Sequence, residues 1–465
     1  MRRLSALDLA FFLAETEASP KHVAGLLLFA KPAGARAAFC RKLVAEFHTH
    51  DRPTEPFDRV IRFGGLAGPR WEPADDFDIG RHVFYHNPPA PLSWREVLDR
   101  VAALHEPLMD RSRPLWEYHV IDGIEGRKFA VYFRAHHAYA DGMTMTTWLE
   151  RSLSDAPDDP ALRPVWAMPA ARRRPPAKHL RRPPPSLLPR LRDLGRLPLA
   201  PLRTTAGIAK LAAQQALERA GITRRAVSLQ FATAHDTPMT GSATPGRGIA
   251  TTALPMAAVK AACRASRATL NHVALTCIDG AMHRYLARIG HAPDHPLTIQ
   301  MPVSLRHDGE GAAGNVLGVG LVELGQPDAD PLQRLQEIGH SLHKVRNQLD
   351  SVSSHAVQQY TVICALATEL IDKVKLTDRI PATGHTLVSN VAGPPHDLYL
   401  KGARLLQNYP LSILVPGLRS NITMFSCSGT LNFGIVATRD LVHLDRLADA
   451  IPEEFANLQR ALGLL

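Results

Sequence analysis

The chain has 465 residues, of which 45% are apolar, 6% aromatic and 21% charged. This length is sufficient for two domains or one large two-lobed unit, and the composition excludes wholesale disorder. The sequence contains no run of 18 or more apolar residues, so a membrane-spanning helix is excluded.

The N-terminus begins with Met1-Arg2-Arg3 and an apolar stretch, as a signal peptide does. Asp8 lies in the middle of that stretch and Glu15 follows it directly, so we expect no secretion and a cytoplasmic protein. The five cysteines include no C-x-x-C pair, and their number is odd. This pattern disfavours a disulfide framework or a zinc cluster and indicates a reducing compartment.

The predicted elements of the N-terminal part alternate between helix and strand. Ser5 is placed to cap a first helix, and the apolar run 22–30 predicts a strand. Ser93 and Glu96 have the spacing of a capping box and predict the start of an amphipathic helix. Residues 118–121 and 128–134 predict two strands around a turn at Asp122-Gly123.

The C-terminal part shows the same mixture of elements. Thr269 predicts the cap of a helix, residues 297–305 predict a strand, and residues 332–345 predict an amphipathic helix. Residues 425–436 predict a hairpin that turns at Ser428-Gly429. Strands and helices in both parts predict an α/β or α+β arrangement of layers.

A basic, proline-rich segment separates these two parts. Ten Lys and Arg residues and one acid lie between positions 171 and 206, so this segment carries almost all of the net charge of +10. Such a density of proline predicts an extended linker. The predicted organisation is therefore a first lobe at 1–165, a linker at 166–240 and a second lobe at 241–465. Binding of nucleic acid by a basic face of the fold is not expected.

Within the linker, leucines interleave with arginines at near-helical spacing over residues 187–196. Such a piece can lie on an anionic lipid surface with its leucines in the apolar layer. A solvated linker and a patch for the phosphates of coenzyme A are the two alternatives.

The chemistry-bearing pattern is His136-His137-x-x-x-Asp141-Gly142, which follows a predicted strand. Adjacent residues at a strand end point to opposite faces, so one histidine can enter a cleft while the other packs inward. Two rings that face apart cannot easily share a metal ion, whereas a histidine in a cleft is suited to taking a proton from a hydroxyl. Asp141 either caps the following helix or forms a buried ion pair, for which Arg134 and Arg306 are candidates. The alternative interpretation is two core histidines beside a turn.

Three segments together resemble a known family. They are the run Arg-Ser-Arg-Pro-Leu-Trp-Glu at 111–117, the His-His-x-x-x-Asp-Gly motif at 136–142, and Ser-Asn-Val-Ala-Gly-Pro at 389–394. This set is similar to the signature of the bacterial wax ester synthase/acyl-CoA:diacylglycerol acyltransferase family. The histidine motif alone is shared with chloramphenicol acetyltransferases and peptide-synthetase condensation domains, and the other two segments narrow the resemblance.

The resemblance implies a two-lobed chloramphenicol-acetyltransferase-like fold with its active site in a tunnel between the lobes. It implies that His137 is the general base, that His136 and Asp141 hold the loop, and that Gly142 permits a close turn. It also implies substrate-binding positions near the active site, namely Pro114, Leu115, Trp116, Asn271, Ser389 and Asn390.

The chain departs from the family pattern at two positions. His272 follows Asn271 where the family has Asp, and Ala392 stands where the family has Pro. Neither position touches the expected base. Ser389 or Asn390 is a candidate donor to the oxyanion of the reaction, with turn capping as the alternative role.

The expected function is transfer of a long-chain acyl group from acyl-CoA to diacylglycerol, a fatty alcohol or both. Acyl-CoA would be a co-substrate, and neither a metal nor another cofactor is expected. The expected location is the periphery of a membrane or lipid droplet. The alternatives are a non-catalytic protein that binds lipid surfaces and a condensation-type enzyme that makes amides.

Overall fold

The computed structural model describes residues 2–4, 6–63, 68–168, 236–304, 317–350 and 354–465. In chain order, the helices of these ranges are α1 (Ala6–Ala14), α2 (Phe39–His48), α3 (Trp94–His105), α4 (Gly142–Ser152), α5 (Met256–Ser266), α6 (Leu270–Arg288), α7 (Pro331–Asp350), α8 (Ser354–Lys373) and α9 (Leu444–Ala461).

The strands of the same ranges are β1 (Arg2–Arg3), β2 (His22–Ala30), β3 (Arg59–Arg62), β4 (Arg70–Pro73), β5 (Val83–His86), β6 (Trp116–Ile124), β7 (Lys128–His136), β8 (Arg247–Pro255), β9 (Thr298–Ser304), β10 (Leu317–Glu323), β11 (Thr386–Ala392), β12 (Tyr399–Leu400), β13 (Ala403–Leu411), β14 (Ser420–Cys427) and β15 (Thr430–Thr438). Residues 169–235 of the linker predicted at 166–240 lie outside the described residues, as does the predicted cap Ser5.

The first lobe is built on a six-stranded sheet in the order β12-β13-β2-β7-β6-β5. Its middle strands β2 and β7 are buried along nearly their whole length, which explains why they are apolar without alternation. Helix α2 packs on one face of this sheet through Leu43 and Phe47, and α3 packs on the other through Val97 and Val101. A small sheet of β1, β4 and β3 lies beside it.

The second lobe has its own six-stranded sheet in the order β10-β9-β11-β14-β15-β8. Helices α6 and α9 pack against each other and on this sheet. Helix α6 is buried almost all round, as expected for a helix at the centre of a large core. The two sheets and their helices confirm the predicted α/β layers.

Strands β12 and β13 require a correction to the predicted lobe boundaries. They belong to the first sheet, where β13 pairs antiparallel with β2, although they lie within the segment 241–465 that was predicted to be the second lobe. The first lobe also continues past residue 165, because Trp166 is fully buried against Trp116. A segment from the C-terminal half of the chain therefore forms part of the first lobe, so no single cut along the sequence separates the two lobes.

Strand β13 of the first sheet contacts β15 of the second. Gly434 of β15 has no side chain at this point, and a Cβ atom added there would lie 1.9 Å from the carbonyl oxygen of Pro410 in β13. Only glycine permits backbone to approach so closely. At this contact the backbones of the two lobes touch without a side chain between them.

Most local predictions from the sequence are confirmed. The strand at 22–30 has the predicted bounds, the Ser93–Glu96 capping box is formed, and Thr269 caps α6. The hairpin turns at Ser428-Gly429, both with positive φ.

The predicted turn at Asp122-Gly123 is wrong. These residues remain in β6, at an irregularity of its pairing with β7, and the chain reverses at Gly126 and Arg127, where φ is positive. The Asp-Gly pair is held in the strand because Asp122 accepts a hydrogen bond from Lys31.

Several histidines of the first lobe are buried and uncharged. His22 donates from Nε2 to the carbonyl of His105 at 2.7 Å, and His105 Nδ1 lies 2.8 Å from the hydroxyl of Tyr132. Burial lowers the pKa of both His22 and His105 well below 6.5, and it lowers the pKa of His82 and His86 to about 4. These groups are neutral in the folded protein because burial penalises the charged imidazolium.

The close contact between the lobes leads to a first prediction. Gly434→Ala should lower the free energy of unfolding by about 1–3 kcal/mol, the usual range for overpacking, because the new methyl group must push β13 away from β15. Urea unfolding measures this change. Gly248→Ala in the neighbouring strand is the control, since its Cβ would meet its nearest neighbour at an ordinary 3.6 Å. If the two variants had the same free energy of unfolding, the close contact between β13 and β15 would not limit the stability of the protein.

The buried histidines lead to a second prediction, on pH dependence. Their pKa is lower in the folded than in the unfolded chain, so the unfolded chain binds more protons between about pH 4 and 6.5. The free energy of unfolding should therefore fall as the pH is lowered through this window, by at most about 1.4 kcal/mol per pH unit for each histidine.

Urea unfolding at several pH values from 7.5 to about 4.5 checks this expectation. His82→Asn keeps a donor toward the carbonyl of Trp116, which His82 Nδ1 reaches at 2.8 Å, and should make the pH dependence less steep. His291→Asn, at an exposed position, is the control. If His82→Asn left the pH dependence of the free energy of unfolding unchanged, this would contradict the idea that burial of neutral His82 causes part of it.

Candidate active site

The motif histidines lie where the ends of three strands of the first sheet meet. His136 at the end of β7 pairs in register with His22 at the start of β2. The backbone N–H of His136 donates to the carbonyl of Leu115 at 2.9 Å, and that of His137 donates to the carbonyl of Lys21 at 2.7 Å. Backbone hydrogen bonds to both neighbouring chain segments therefore fix the position of the histidine pair.

The rings of His136 and His137 have different surroundings, as strand alternation predicts. Val131, Phe133 and His137 line a cavity between the two lobes. Every second residue of a strand faces the same side, and His137 continues this pattern one step past the end of β7. His136 is fully buried and does not line that cavity. Of the two motif rings, only that of His137 faces the cavity.

His136 is held as a neutral ring. Burial lowers its pKa to about 3, with help from the nearby His137, Arg111 and Lys21. Its Nδ1 accepts a hydrogen bond from the backbone N–H of Ala138 at 3.1 Å, so the ring proton is on Nε2. Nε2 lies 3.6 Å from Oε1 of Glu15. His136 thus closes the loop 136–138 on itself, which agrees with a structural role.

Two aromatic rings of α1 hold the histidine pair from outside. Phe11 stacks on His137 with ring centroids 4.4 Å apart, and Phe12 packs on His136 at 4.7 Å. Neither residue was predicted from the sequence. The sequence feature that could have indicated them is the pair of adjacent aromatic residues in a short apolar helix.

Glu15 connects this helix to the segment 111–117. Its side chain is almost fully buried and lies 2.9 Å from Nη2 of Arg111, and it accepts from the backbone N–H of Lys21 at 3.0 Å. Arg111 also donates to the carbonyl of Phe12. Glu15 and Arg111 therefore fix the chain segment whose carbonyl holds His137.

Asp141 acts as the cap of α4. Its Oδ1 accepts a hydrogen bond from the backbone N–H of Thr144 at 2.8 Å, which is the first of the two predicted roles. Arg134, one candidate partner for a buried ion pair, is paired instead with Glu117 at 2.7 Å. The other candidate, Arg306, lies outside the described residues.

Gly142 is the first residue of α4 and lies close to the second lobe. Its φ is not among the positive values of the chain, so it does not serve a left-handed turn. A Cβ at this position would lie 3.3 Å from a methyl group of Val391 in β11. The glycine lets the start of α4 approach the second lobe.

The cavity has a volume of about 980 Å³, and both lobes contribute to its wall. This is at the upper end of the range for small-molecule sites. The lining residues of the first lobe include Phe11, Val23, Leu27, Phe133, His137, Asp141 and Trp148, and those of the second include Gln300, Val362, Glu369, Ser389, Asn390 and Thr423.

Of the predicted second-lobe positions, Ser389 and Asn390 line this cavity, whereas Asn271 does not. Ser389 Oγ donates to Thr423 at 3.0 Å, and Thr423 in turn donates to Asn421 at 2.8 Å. Asn390 Nδ2 donates to Oδ1 of Asn271 at 2.7 Å. The Ser389 hydrogen is therefore used inside the protein, whereas the Asn390 amide has a second hydrogen.

Pro114, Leu115 and Trp116 do not line the cavity. The carbonyl of Leu115 accepts from the backbone N–H of His136, and the backbone N–H of Leu115 donates to the hydroxyl oxygen of Tyr139 at 3.1 Å. Trp116 is buried and donates from Nε1 to the carbonyl of Phe57 at 2.9 Å. The structure thus places this segment behind the loop 136–142, as its support.

One further pair near the site was missed by the sequence analysis. Lys21 has a fully buried side chain, and its Nζ lies 2.7 Å from Oε1 of Glu369 in α8. Burial raises the pKa of Glu369, while Lys21 opposes this shift. The pair joins the two lobes at the residue whose carbonyl holds His137.

The cysteines of the described chain are unpaired, and four of the five are buried. Burial raises the pKa of the Cys364 thiol to about 11, which makes it a poor nucleophile. Within the described ranges, no group of three or more His, Cys, Asp or Glu residues could hold a metal ion. None of the helices described above is long and apolar enough to cross a membrane.

Comparison with known proteins identifies the family. The wax ester synthase/diacylglycerol acyltransferase catalytic domain matches residues 4–274, and the WS/DGAT C-terminal domain matches residues 313–459. A putative diacylglycerol O-acyltransferase of Mycobacterium bovis is 33% identical over 100% of this chain and 98% of its own. A second putative diacylglycerol O-acyltransferase, from Mycobacterium tuberculosis, is 32% identical over 99% of this chain and 100% of its own.

The fold has the same relatives. The wax ester synthase/diacylglycerol acyltransferase from Marinobacter aquaeolei VT8 superposes with a TM-score of 0.75 and 26% identity over 100% of both chains. The first condensation domain of the calcium-dependent antibiotic synthetase has a TM-score of 0.56 at 13% identity, covering 99% of this chain and 96% of its own, and shares the fold alone. The two-lobed, chloramphenicol-acetyltransferase-like fold is thereby confirmed. The chain belongs to the wax ester synthase/diacylglycerol acyltransferase family.

Proposed function

We propose that this acyltransferase uses His137 as the general base that activates the acceptor hydroxyl, with acyl-CoA as the donor. The observation that carries the proposal is the difference between the two motif rings. His137 lines the cavity between the lobes, whereas His136 is sealed in the core with its pKa lowered to about 3 by burial.

The reaction then needs no covalent intermediate on the protein. The hydroxyl of diacylglycerol or a fatty alcohol gives its proton to the imidazole of His137, and its oxygen attacks the thioester carbonyl. The tetrahedral intermediate collapses by breaking the C–S bond. The coenzyme A thiolate leaves and takes the proton from the imidazolium, which restores the neutral base.

The charge on the tetrahedral oxygen requires a hydrogen-bond donor in the cavity. Asn390 is the better candidate of the two predicted residues. It lines the cavity, and its bond to Asn271 uses one amide hydrogen and fixes the amide plane. The hydroxyl hydrogen of Ser389 is already donated to Thr423, so this hydroxyl presents only its lone pairs to the cavity.

The lining favours long acyl chains. Most of its first-lobe residues are apolar, among them Val23, Leu27, Phe133, Trp148 and Leu149. Contact with such side chains is favourable for every buried methylene of a lipid chain. We therefore infer long-chain acyl groups and a lipid acceptor, delivered from the periphery of a membrane or lipid droplet.

The proposed function is tested first by thiol release. Purified protein with palmitoyl-CoA should release free thiol only when hexadecanol or diacylglycerol is added, and thin-layer chromatography should show wax ester or triacylglycerol. Release that does not depend on an acceptor would overturn the proposal.

A third prediction separates the two histidines. His137→Ala should lose about 10²- to 10⁴-fold in kcat, the usual contribution of a general base, while its unfolding midpoint stays near that of the wild type. His136→Ala should instead lower the unfolding midpoint, because it empties a fully buried site. Steady-state kinetics and urea unfolding of both variants give the comparison.

The pH–rate profile supplies the control. The wild-type rate should fall on the acid side as the base is protonated, and His136 cannot cause this limb near neutrality because its pKa is about 3. The limb should be absent from the residual activity of His137→Ala. Near-normal turnover by a folded His137→Ala would contradict the assignment.

A fourth prediction concerns the buried pair between the lobes. Glu369→Ala leaves the Lys21 ammonium buried without its carboxylate, so stability should fall by about 3–5 kcal/mol. The turnover number should fall as well, because Lys21 also holds His137 through its carbonyl. A double change, Lys21→Met with Glu369→Leu, should recover much of the stability.

The control for this pair is Asp445→Asn. Asp445 forms an exposed ion pair with Arg95 at 3.3 Å, and such surface pairs contribute only about 0–1 kcal/mol. Urea unfolding and kcat are measured for all variants. Glu369→Ala behaving like Asp445→Asn would show that the buried pair is unimportant.

A further inference from the structure

Helix α8 is apolar on two opposite faces. Its inner face lines the cavity with Val362, Ala365 and other residues. Its outer face consists of four large apolar side chains at spacings of three or four residues, with 43–63% of each side chain exposed: Ile363, Leu366, Leu370 and Val374, which follows the helix end. We call these four residues the α8 apolar face.

An apolar face of this kind is unusual on a surface helix, which normally turns polar residues to water. The apolar surface also continues beyond the helix, since Leu376 and Ile380 are exposed. Leu13 of α1 is exposed and adjacent, because Lys373 Nζ donates to its carbonyl at 3.2 Å. Contiguous apolar patches mark interaction surfaces.

Basic residues interleave with this apolar surface. Lys373, Lys375 and Arg379 are all exposed, and within the described residues none of them forms an ion pair with a carboxylate. The two acids of this segment keep their charge and are held by neutral donors: Asp372 accepts from the hydroxyl of Thr377 at 2.7 Å, and Asp378 accepts from the backbone N–H of Ser242 at 2.7 Å. The three basic residues outnumber them.

We propose that the α8 apolar face, with these three basic residues, docks the protein on an anionic phospholipid surface. Apolar side chains enter the boundary between headgroups and acyl chains, while neighbouring lysines and arginines contact the lipid phosphates. A second copy of the chain fits less well, because symmetric pairing of this face would bring its own unpaired cations together.

Docking here brings the lipid surface near the cavity. The two faces of α8 are separated by one helix diameter, about 10–12 Å, so the lipid layer lies just across this helix from the cavity wall. This consequence for substrate supply rests on the proposed function, whereas the docking itself does not.

Vesicle sedimentation tests the docking. Full-length protein is mixed with vesicles of phosphatidylglycerol or of phosphatidylcholine, in low and high salt. We expect binding to phosphatidylglycerol that weakens with salt. Leu370→Gln with Val374→Gln should reduce binding by about tenfold or more, and Lys375→Gln with Arg379→Gln by about fivefold for each charge removed.

Val442→Gln is the matched control, because Val442 is an equally exposed apolar residue, at 54%, before α9. It should bind vesicles like the wild type. Equal binding by Leu370→Gln/Val374→Gln and Val442→Gln would overturn the proposal. A second outcome would also overturn it. In that outcome the wild type is a dimer in light scattering, and Leu370→Gln/Val374→Gln makes it a monomer without changing vesicle binding.

Activity assays keep this proposal separate from the proposed function. With a short-chain acyl-CoA and a water-soluble alcohol, Leu370→Gln/Val374→Gln should turn over like the wild type, and with vesicle-embedded diacylglycerol it should be slower. Loss of vesicle binding with full soluble activity supports docking. Absence of activity in every protein, with docking intact, would count against the proposed function alone.

Discussion

The pairing of β13 with β2 is the constraint on which the architecture depends. It places a strand from the second half of the chain in the first lobe's sheet, and the same strand touches β15 of the other sheet at Gly434. The lobes therefore cannot drift apart without breaking a central ladder. The cavity lies between two lobes whose backbones are in direct contact where β13 meets β15.

Around the motif, the protein controls charge by burial as much as by pairing. His136 is kept neutral in the core, while Glu15 and Arg111 neutralise each other beside it. Desolvation disfavours a charged imidazole, and a neighbouring ion pair of zero net charge does little to restore it. His137, at the cavity wall, is the member of the pair to which we assign proton exchange with substrate.

The sequence could predict what depends on local pattern. The bounds of β2, the Ser93 capping box and the opposite placement of the two histidines all follow from neighbouring residues, and all are confirmed. The family resemblance located the polar group of Ser389 and Asn390, which lies at the cavity as implied. Its implied substrate contact for Trp116 is not seen, because that side chain packs in the core behind the loop.

Interactions between distant parts of the chain could not be predicted in this way. Lys21 and Glu369 are separated by 348 positions, and nothing in either local pattern indicates a partner. The exchange of β12 and β13 between lobes is equally invisible, since a strand pattern does not specify the sheet that it joins. The approach of Gly142 to Val391 on the other lobe is likewise not indicated by the local pattern.

The position of β13 in the chain also has a consequence for biosynthesis. Strand β2 is apolar over almost its entire length, and during translation it emerges long before residues 403–411 that cover its edge. An unpaired apolar strand edge is a template for pairing with other chains, and non-local strand pairing forms slowly. The interval between synthesis of β7 and synthesis of β13 is therefore when a nascent chain of this protein is most exposed to aggregation.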